Sequence, residues 1–381
     1  MANIPTLILV NNPCFTSLID CMGQIRDPRI ERRKTHQLPK ILVLAVCAIL
    51  SGVNCWTHVA QFARLHEARF AELIDLSDGI PSHDTFSRVM AAVNHEELAI
   101  WLNLWLESVV GFNGEHVAMD GKVLKSFRYK DPMVMVRAWD KTNKAVVALE
   151  RVAVHSNEIA TIPDVLRQLN LREKTVTIDA AGTQRENAKI IIDKSGDYIL
   201  AVKGNQSDLH KNLQLLMDDI IDKQLKHINF SYHQTENQGH GRQETRECWA
   251  TDYIDWYDRK HLWAGLQTLI AIRATRTVGN QTTITRRYYI SSLPPKAARL
   301  LSLIRDHWSI ENNLHWMLDM VFEEDRSTTR LGFGPQNLAF LRSFCFALLA
   351  NVSDKLSMKM RRIAAGANNE YLLKTLLNSR I

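Results

Sequence analysis

Three acids stand out in this chain by their surroundings. Asp120 sits inside an apolar run, HVAMDGKVL, Asp179 closes another, TVTIDA, and Glu311 lies in a helical stretch far downstream. An ionised group inside an apolar strand needs compensation, so Asp120 is the least ordinary of the three. Acids near the ends of adjacent strands converge, and a packed helix brings in a third. Three carboxylates offer the hard oxygen ligands that suit Mg²⁺ or Mn²⁺. Two such ions about 3.5–4 Å apart activate the attacking oxygen and stabilise the leaving oxygen of a phosphodiester. Taken singly, each acid reads as a surface charge or helix cap. Taken jointly, in this order of strands and helices, they read as a metal site.

Other residues leave more than one reading open. His307, Glu311 and His315 are spaced i, i+4, i+8 and share one face of a regular helix. That is a transition-metal pattern or a structural one; H-E-x-x-H is absent, which argues against a metalloprotease. Trp308 and Trp316 flank them and read as core. Lys203 follows a buried strand and reads as a phosphate contact. Arg242, Arg246, Arg286 and Arg287 read as a track for nucleic acid or as solvated surface charges. No P-loop, nucleophile elbow or dinucleotide fingerprint occurs.

The elements that must position these groups follow from the apolar pattern. Residues 24–40 hold six Lys/Arg against two acids and read as an exposed stretch leading into structure, so 1–40 is taken as a basic N-terminal arm. Residues 41–112 read as a helical domain, with Ser82 capping one helix. A helix-turn-helix there is weakened by three Arg, no Lys and eight acids over 41–110. Residues 113–226 run three strands, helix, strand, helix, strand, helix, which argues a mixed α/β sheet with helices packed on it. Residues 227–295 read as a β-rich insertion, with a hairpin at Gly279-Asn280. Residues 296–350 resume as a long helix bearing the third acid. Residues 351–381 read as a basic tail, with six Lys/Arg and one Glu over 355–381.

Composition bounds the rest. The chain has 381 residues, 46% hydrophobic and 23% charged, which excludes a mainly disordered or fibrous protein. The net charge of +6 permits an anionic partner. Cys14, Cys21, Cys47, Cys55, Cys248 and Cys345 form no C-x-x-C pair, so reduced thiols are expected rather than a zinc ribbon. The longest apolar run, Ile41 to Val53, is short of the roughly 20 residues a membrane span needs. The N-terminus has no basic region before its apolar stretch, so no signal peptide is expected. The reading is a soluble cytoplasmic protein.

At this point the sequence resembles the ISAs-one group of bacterial insertion-sequence transposases, which includes the H-repeat-associated proteins. The resemblance runs from about residue 20 to about 375. It rests on DPR at 27–29, PSHDTFSRV at 81–89, DGKVLK at 120–125 and SNEIATIP at 156–163. It continues with TIDAAGTQ at 177–184, GDYILAVKGNQ at 196–206, HGRQETR at 240–246, HWSIENNLHWMLD at 307–319 and ED at 324–325. It implies an RNase H-like core with an Asp-Asp-Glu triad at Asp120, Asp179 and Glu311, holding two Mg²⁺ ions, with Mn²⁺ as a substitute. It implies cleavage at the DNA ends of an element and strand transfer by the freed 3′-hydroxyl. The partners implied are terminal-repeat and target DNA, with a homodimer or larger assembly on DNA at the nucleoid. Expected DNA contacts are Arg32, Arg33 and Lys34 in the arm, Lys122 and Lys125 beside the first acid, Lys203, Asn205, Arg242, Arg246, His307 and His315. The wider superfamily carries Tyr, Arg and Lys where this chain has Ile304, His307 and Leu318; the His-Trp form belongs to the subgroup. The alternative within the same family is a remnant that binds DNA without cutting it.

Overall fold

A computed structural model describes residues 13–111, 113–124, 133–153, 155–223, 228–239 and 241–377. Its centre is a nine-stranded mixed sheet in the order β3-β2-β1-β4-β5-β9-β8-β7-β6. The first five strands are β1 (His116–Leu124), β2 (Met133–Asp140), β3 (Ala145–Arg151), β4 (Thr175–Ile178) and β5 (Asp197–Val202). They fall where the apolar runs predict. β1, β2 and β3 form an antiparallel meander, and β4 and β5 run parallel to β1. This is the mixed α/β sheet expected.

The remaining strands are β6 (Ser231–Gly239), β7 (Arg242–Thr251), β8 (Thr268–Val278) and β9 (Gln281–Ser291). The hairpin turn between β8 and β9 is Gly279-Asn280, with Gly279 at φ +56° as such a turn needs. The region expected as a β-rich insertion is β-rich, and it continues the core sheet. β9 pairs with β5 from Ile199↔Ser291 to Val202↔Tyr288. An open edge on β5 would leave backbone donors and acceptors unpaired, and β9 satisfies them.

Helices cover both faces. Helices Glu158–Gln168, Arg185–Asp193 and Ser207–Lys223 share one core with Val117, Met119, Val176, Ile178 and Leu200. On the other face, helix Ala297–His307 packs Leu300, Leu301 and Ile304 onto Ile199, Ile270 and Tyr289. Beside it, helix Gly334–Ala350 joins the N-terminal helices in one core that also takes in Ala118, Met135 and Trp139. The N-terminal helices therefore belong to the same hydrophobic body as the sheet.

The basic stretch 24–40 is mostly exposed or half-buried, but the helix before it and the C-terminal segment are packed into the core. Helix Pro13–Gly23 buries Leu18 and Met22 completely. The terminal helices Met358–Ala367 and Asn369–Leu377 bury Leu372 and Leu376. Arg362, counted among the basic charges of the tail, is 3% exposed. Its guanidinium donates to the carbonyls of Ile49, Val53 and Val321 and to Asn54 Oδ1. Ile49 belongs to helix Leu38–Leu50, whose last carbonyls lack intrahelical partners, so a buried cation is favourable there. Charge counting read these segments as solvated because it cannot see which cations serve a helix end. Among the described residues, no helix is long and apolar enough to cross a membrane.

A buried ion cluster ties the sheet to the loop before Gly334. Arg137 and Glu324 are both fully buried, 2.5 Å apart. Lys122 Nζ lies 3.3 Å from Glu324 and also donates to Asp319. Burial would raise the Glu324 carboxyl, but the Arg137 and Lys122 cations outweigh it and hold it below the ordinary range. Removing one partner strands the other charges in the interior. Glu324→Leu is expected to lower stability by about 3–5 kcal/mol, read as a fall in the urea midpoint at unchanged slope.

Candidate active site

Period-two alternation decides which side chains reach the site. Val117, Met119, Val176 and Ile178 point to one core. Asp120 on β1, and Thr177 and Asp179 on and just after β4, therefore face the side covered by helix Ala297–His307. The parallel register pairs Ala118 with Thr177 and Met119 with Ile178. One step further on, Asp120 comes level with Asp179 at the strand ends.

The expected long helix is broken where Glu311 enters. Helix Ala297–His307 ends, and Ile310–His315 forms a π turn in which the Trp316 N–H bonds back to the Glu311 carbonyl. Such a turn adds a residue to the helical course and re-aims its side chains, often at functional sites. His307 Nδ1 lies 2.9 Å from Thr177 Oγ1, and His315 Nδ1 lies 3.6 Å from Asp120 Oδ2. Asp120, Asp179, Glu311, Lys203, His307 and Trp308 line one cavity of about 230 Å³.

The electrostatics are those of crowded like charges. Burial first, then the charges of Asp179, Glu158 and Glu311, push the Asp120 carboxyl up to about 8. Asp179 Oδ1 accepts the Gly182 N–H at 3.1 Å. Among the described residues, no ion pair joins Asp120, Asp179 or Glu311 to a lysine or arginine. Hard oxygen donors that repel one another and lack a protein cation fit a divalent metal ion.

Glu158 is the acid that sequence reasoning missed. It was legible only as part of a helix start. Burial first, and then Asp179, raises its carboxyl, while the Gly121 N–H bonds to it. A Cβ on Gly121 would lie 2.2 Å from the Glu158 carboxyl carbon. A glycine directly after the first acid, inside a strand, was the available signal: it marks close approach by another group.

A second hollow of about 650 Å³ adjoins the acids. Arg242, Arg246, Arg276, Arg287 and Arg305 line it. It shares Arg287, Tyr289, Ile304 and Trp308 with the acid cavity. The Arg287 guanidinium carbon sits 4.8 Å from the centre of the Trp308 ring. Trp308 and Trp316, expected in the core, are 38% and 54% exposed. Trp308 caps the helix before the π turn, and Trp316 follows the turn.

The other expected contacts divide. Lys122 is not open to a ligand, because it is buried in the ion cluster described above. Arg286 is bound by Asp218 and Asp222 at 2.9 and 2.7 Å. Asn205 donates to the Ala180 carbonyl at 2.6 Å and so holds the loop after Asp179. Arg246 pairs with Glu244 at 2.6 Å yet still lines the hollow. Arg32 is exposed, and Lys34 pairs with Glu31 at 2.5 Å. Lys125 and the side chain of Arg33 lie outside the described residues. Away from this site, His95, Glu96 and Glu150 bring candidate ligand atoms within 4.8 Å of one another. Glu150 there already bonds His95 and Gln168, so the group reads as a tie between elements.

Comparison with known proteins bears on what such a site does. A family model described as "Transposase DDE domain" matches residues 112–348, and one described as "DDE_Tnp_1-associated" matches residues 19–106. The chain is 32% identical over 370 residues to "Putative transposase YncI" of Escherichia coli O157:H7, covering 94% of each. It is 30% identical over 377 residues to "H repeat-associated putative transposase YhhI" of Escherichia coli (strain K12), covering 95% of this chain and 98% of that one. Among solved structures it is similar to a piggyBac transposase in a synaptic complex with hairpin DNA, at TM-score 0.41 and 11% identity, over 98% of this chain and 80% of that one.

Two outcomes test the geometry. Gly121→Ala displaces the flexible end of Glu158, so it and Glu158→Gln should each weaken Mn²⁺ binding by about tenfold in calorimetric titration. The double variant should lose no more than Glu158→Gln alone. The second concerns His116, which is 6% exposed and whose imidazole burial pushes down to about 4. The unfolded chain, near 6.5, takes up a proton that the native state refuses. The contribution of neutral His116 is thus complete above pH 6.5 and is lost as pH falls toward 4. Wild type should lose about 2 kcal/mol from this group between pH 7 and 5 in urea unfolding, and His116→Gln should lack that part of the slope.

Proposed function

The chain belongs to the transposase DDE domain family, and on that premise we propose that it cuts and joins DNA with Asp120, Asp179 and Glu311 as its catalytic acids. One observation carries this reading. Three acids from β1, from the end of β4 and from a π turn line a single cavity, which shares its wall with an arginine-lined hollow. Acids that pair with no lysine or arginine among the described residues stand beside a wall of arginines. A phosphodiester strand with divalent ions answers both.

Asp120, Asp179 and Glu311 would hold two divalent cations, with the Glu158 carboxylate beside them. Bound there, Mg²⁺ or Mn²⁺ supplies the charge that activates an attacking oxygen and steadies a leaving one. The side chains do the rest. Arg242, Arg246, Arg276, Arg287 and Arg305 pair with backbone phosphates and hold the strand in register. Lys203, on the cavity wall, meets the phosphate nearest the acids. Water attacks the phosphodiester at an element end, and the bond to the 3′-oxygen breaks to leave a free 3′-hydroxyl. That hydroxyl then attacks a target phosphodiester, so one bond forms for each bond broken. Joining two ends to one target calls for at least two copies of the chain on DNA.

A nicking assay tests the reading on duplex DNA that carries the sequences flanking the gene. Wild type should cut at defined positions in Mg²⁺ or Mn²⁺ and not in EDTA. Asp120→Asn should cut at least about a hundredfold more slowly, because it removes metal-held charge stabilisation worth several kcal/mol, and should still bind. Binding should weaken steeply with salt as condensed counterions are released. Binding by wild type with no cut in either metal would instead identify a remnant that only recognises DNA.

A further inference from the structure

Behind the acids runs a hydrogen-bond chain that the reading above does not use. His116 Nε2 lies 2.8 Å from Thr177 Oγ1, and the same oxygen lies 2.9 Å from His307 Nδ1. The chain crosses from β1 to β4 to the last residue of helix Ala297–His307. His116 is 6% exposed, and its Nδ1 is buried with no hydrogen-bond partner. His307 lines the acid cavity. Its Nδ1 is occupied by Thr177, so Nε2, across the ring, is the nitrogen left for the cavity.

A hydroxyl has one proton and two lone pairs; if Thr177 accepted from both rings, its own proton would have no acceptor among the described residues, so it donates to one ring and accepts from the other. Burial holds both imidazoles well below their ordinary range, so each ring carries a single N–H. Two arrangements remain. If Thr177 donates to His116, then His116 must carry its own proton on Nδ1. That leaves a buried N–H with no acceptor, and His307 turns a bare lone pair toward the acids. If Thr177 donates to His307, then His116 Nε2–H donates to Thr177 and only a lone pair is left unpaired. Orphaned buried N–H groups are rarer than under-satisfied acceptors.

We propose that His307 presents Nε2–H to a non-bridging oxygen of the phosphate at the acid site, in a tautomer set by Thr177 and His116. The inference rests on the transposase reading for the identity of the ligand, and on the hydrogen-bond chain alone for the tautomer. His307 is then a substrate-contacting residue, and Thr177 and His116 are positioning residues. The donor is neutral and short, so it adds direction to a site whose charge comes from elsewhere. Thr177 suits the middle of the chain because its hydroxyl is fixed by a β-branched rotamer on a strand.

The test uses the full chain labelled with ¹⁵N-histidine, with His307→Gln and His116→Gln to assign the two rings. Ring ¹⁵N shifts and their proton couplings report the tautomer. Wild type should show Nε2–H on both rings. Thr177→Val keeps the shape of the side chain and should release His307 into a mixture of tautomers, while Thr177→Ser should restore the wild-type signature. The His307 Nε2 resonance should move when duplex DNA is added to Asp120→Asn protein, which binds without cutting. In the nicking assay, His307→Gln and Thr177→Val should each slow cutting by about ten- to a hundredfold, and Thr177→Ser should recover most of that loss. Nδ1–H on His307 in wild type overturns the donor assignment. An unchanged tautomer or unchanged cutting in Thr177→Val overturns the positioning role. A resonance that ignores DNA overturns the phosphate contact. Should wild type fail to cut any DNA, the reading as an active transposase falls, while the tautomer and the DNA shift still decide this proposal.

Discussion

Carboxylates crowded into a partly desolvated corner of a sheet raise the cost of ionising one another. Here Asp120 bears that cost most, with Asp179, Glu158 and Glu311 all acting on it. Left free, such groups would swing apart into water. They stay because each is anchored to an element with little freedom: two strands in fixed parallel register, a helix start and a π turn braced between helices. The surrounding fold can be understood as the frame that resists this repulsion. The fully buried Arg137–Glu324 pair, with Lys122, pins β1 and β2 to the chain beyond Glu311. A cluster of this kind contributes little net stability, but breaking it is costly, which suits a part that must not move.

The same repulsion sets the direction of the electrostatics across the site. A polyanion will not approach a carboxylate cavity unaided. The arginine-lined wall of β7, β8 and β9 supplies the opposite sign next door, and the two hollows share Arg287 and Trp308. Extending the core sheet through β9 rather than hanging a separate module beside it makes that wall rigid relative to the acids. The placement of charge and the continuity of the sheet are thus one structural decision.

The strands, their order of appearance and the two acids on them were legible in the sequence, because alternation and apolar runs are local signals. The stretch around Glu311 was only half legible. Its apolar spacing announced a helix, but a π turn is a response to packing and leaves no clear mark in spacing. Trp308 and Trp316, on either side of that turn, read as core, whereas both are exposed. Lys122 was misread for a related reason. A lysine two residues from an active-site acid looks like a ligand contact until Asp319 and Glu324 arrive from nearly two hundred residues away.

The sequence by itself determined which segments are strands and helices and which acids lie on or beside them. Side-chain type and period carry that information along the chain. Only the tertiary structure decided which charges are sealed in and which face a ligand. It turned cations of a basic tail into helix caps and a glycine after Asp120 into the seat of Glu158. It also joined His116, Thr177 and His307 into one hydrogen-bond chain. Desolvation and hydrogen-bond partnership depend on neighbours in space, and those neighbours come from parts of the chain that no local pattern connects.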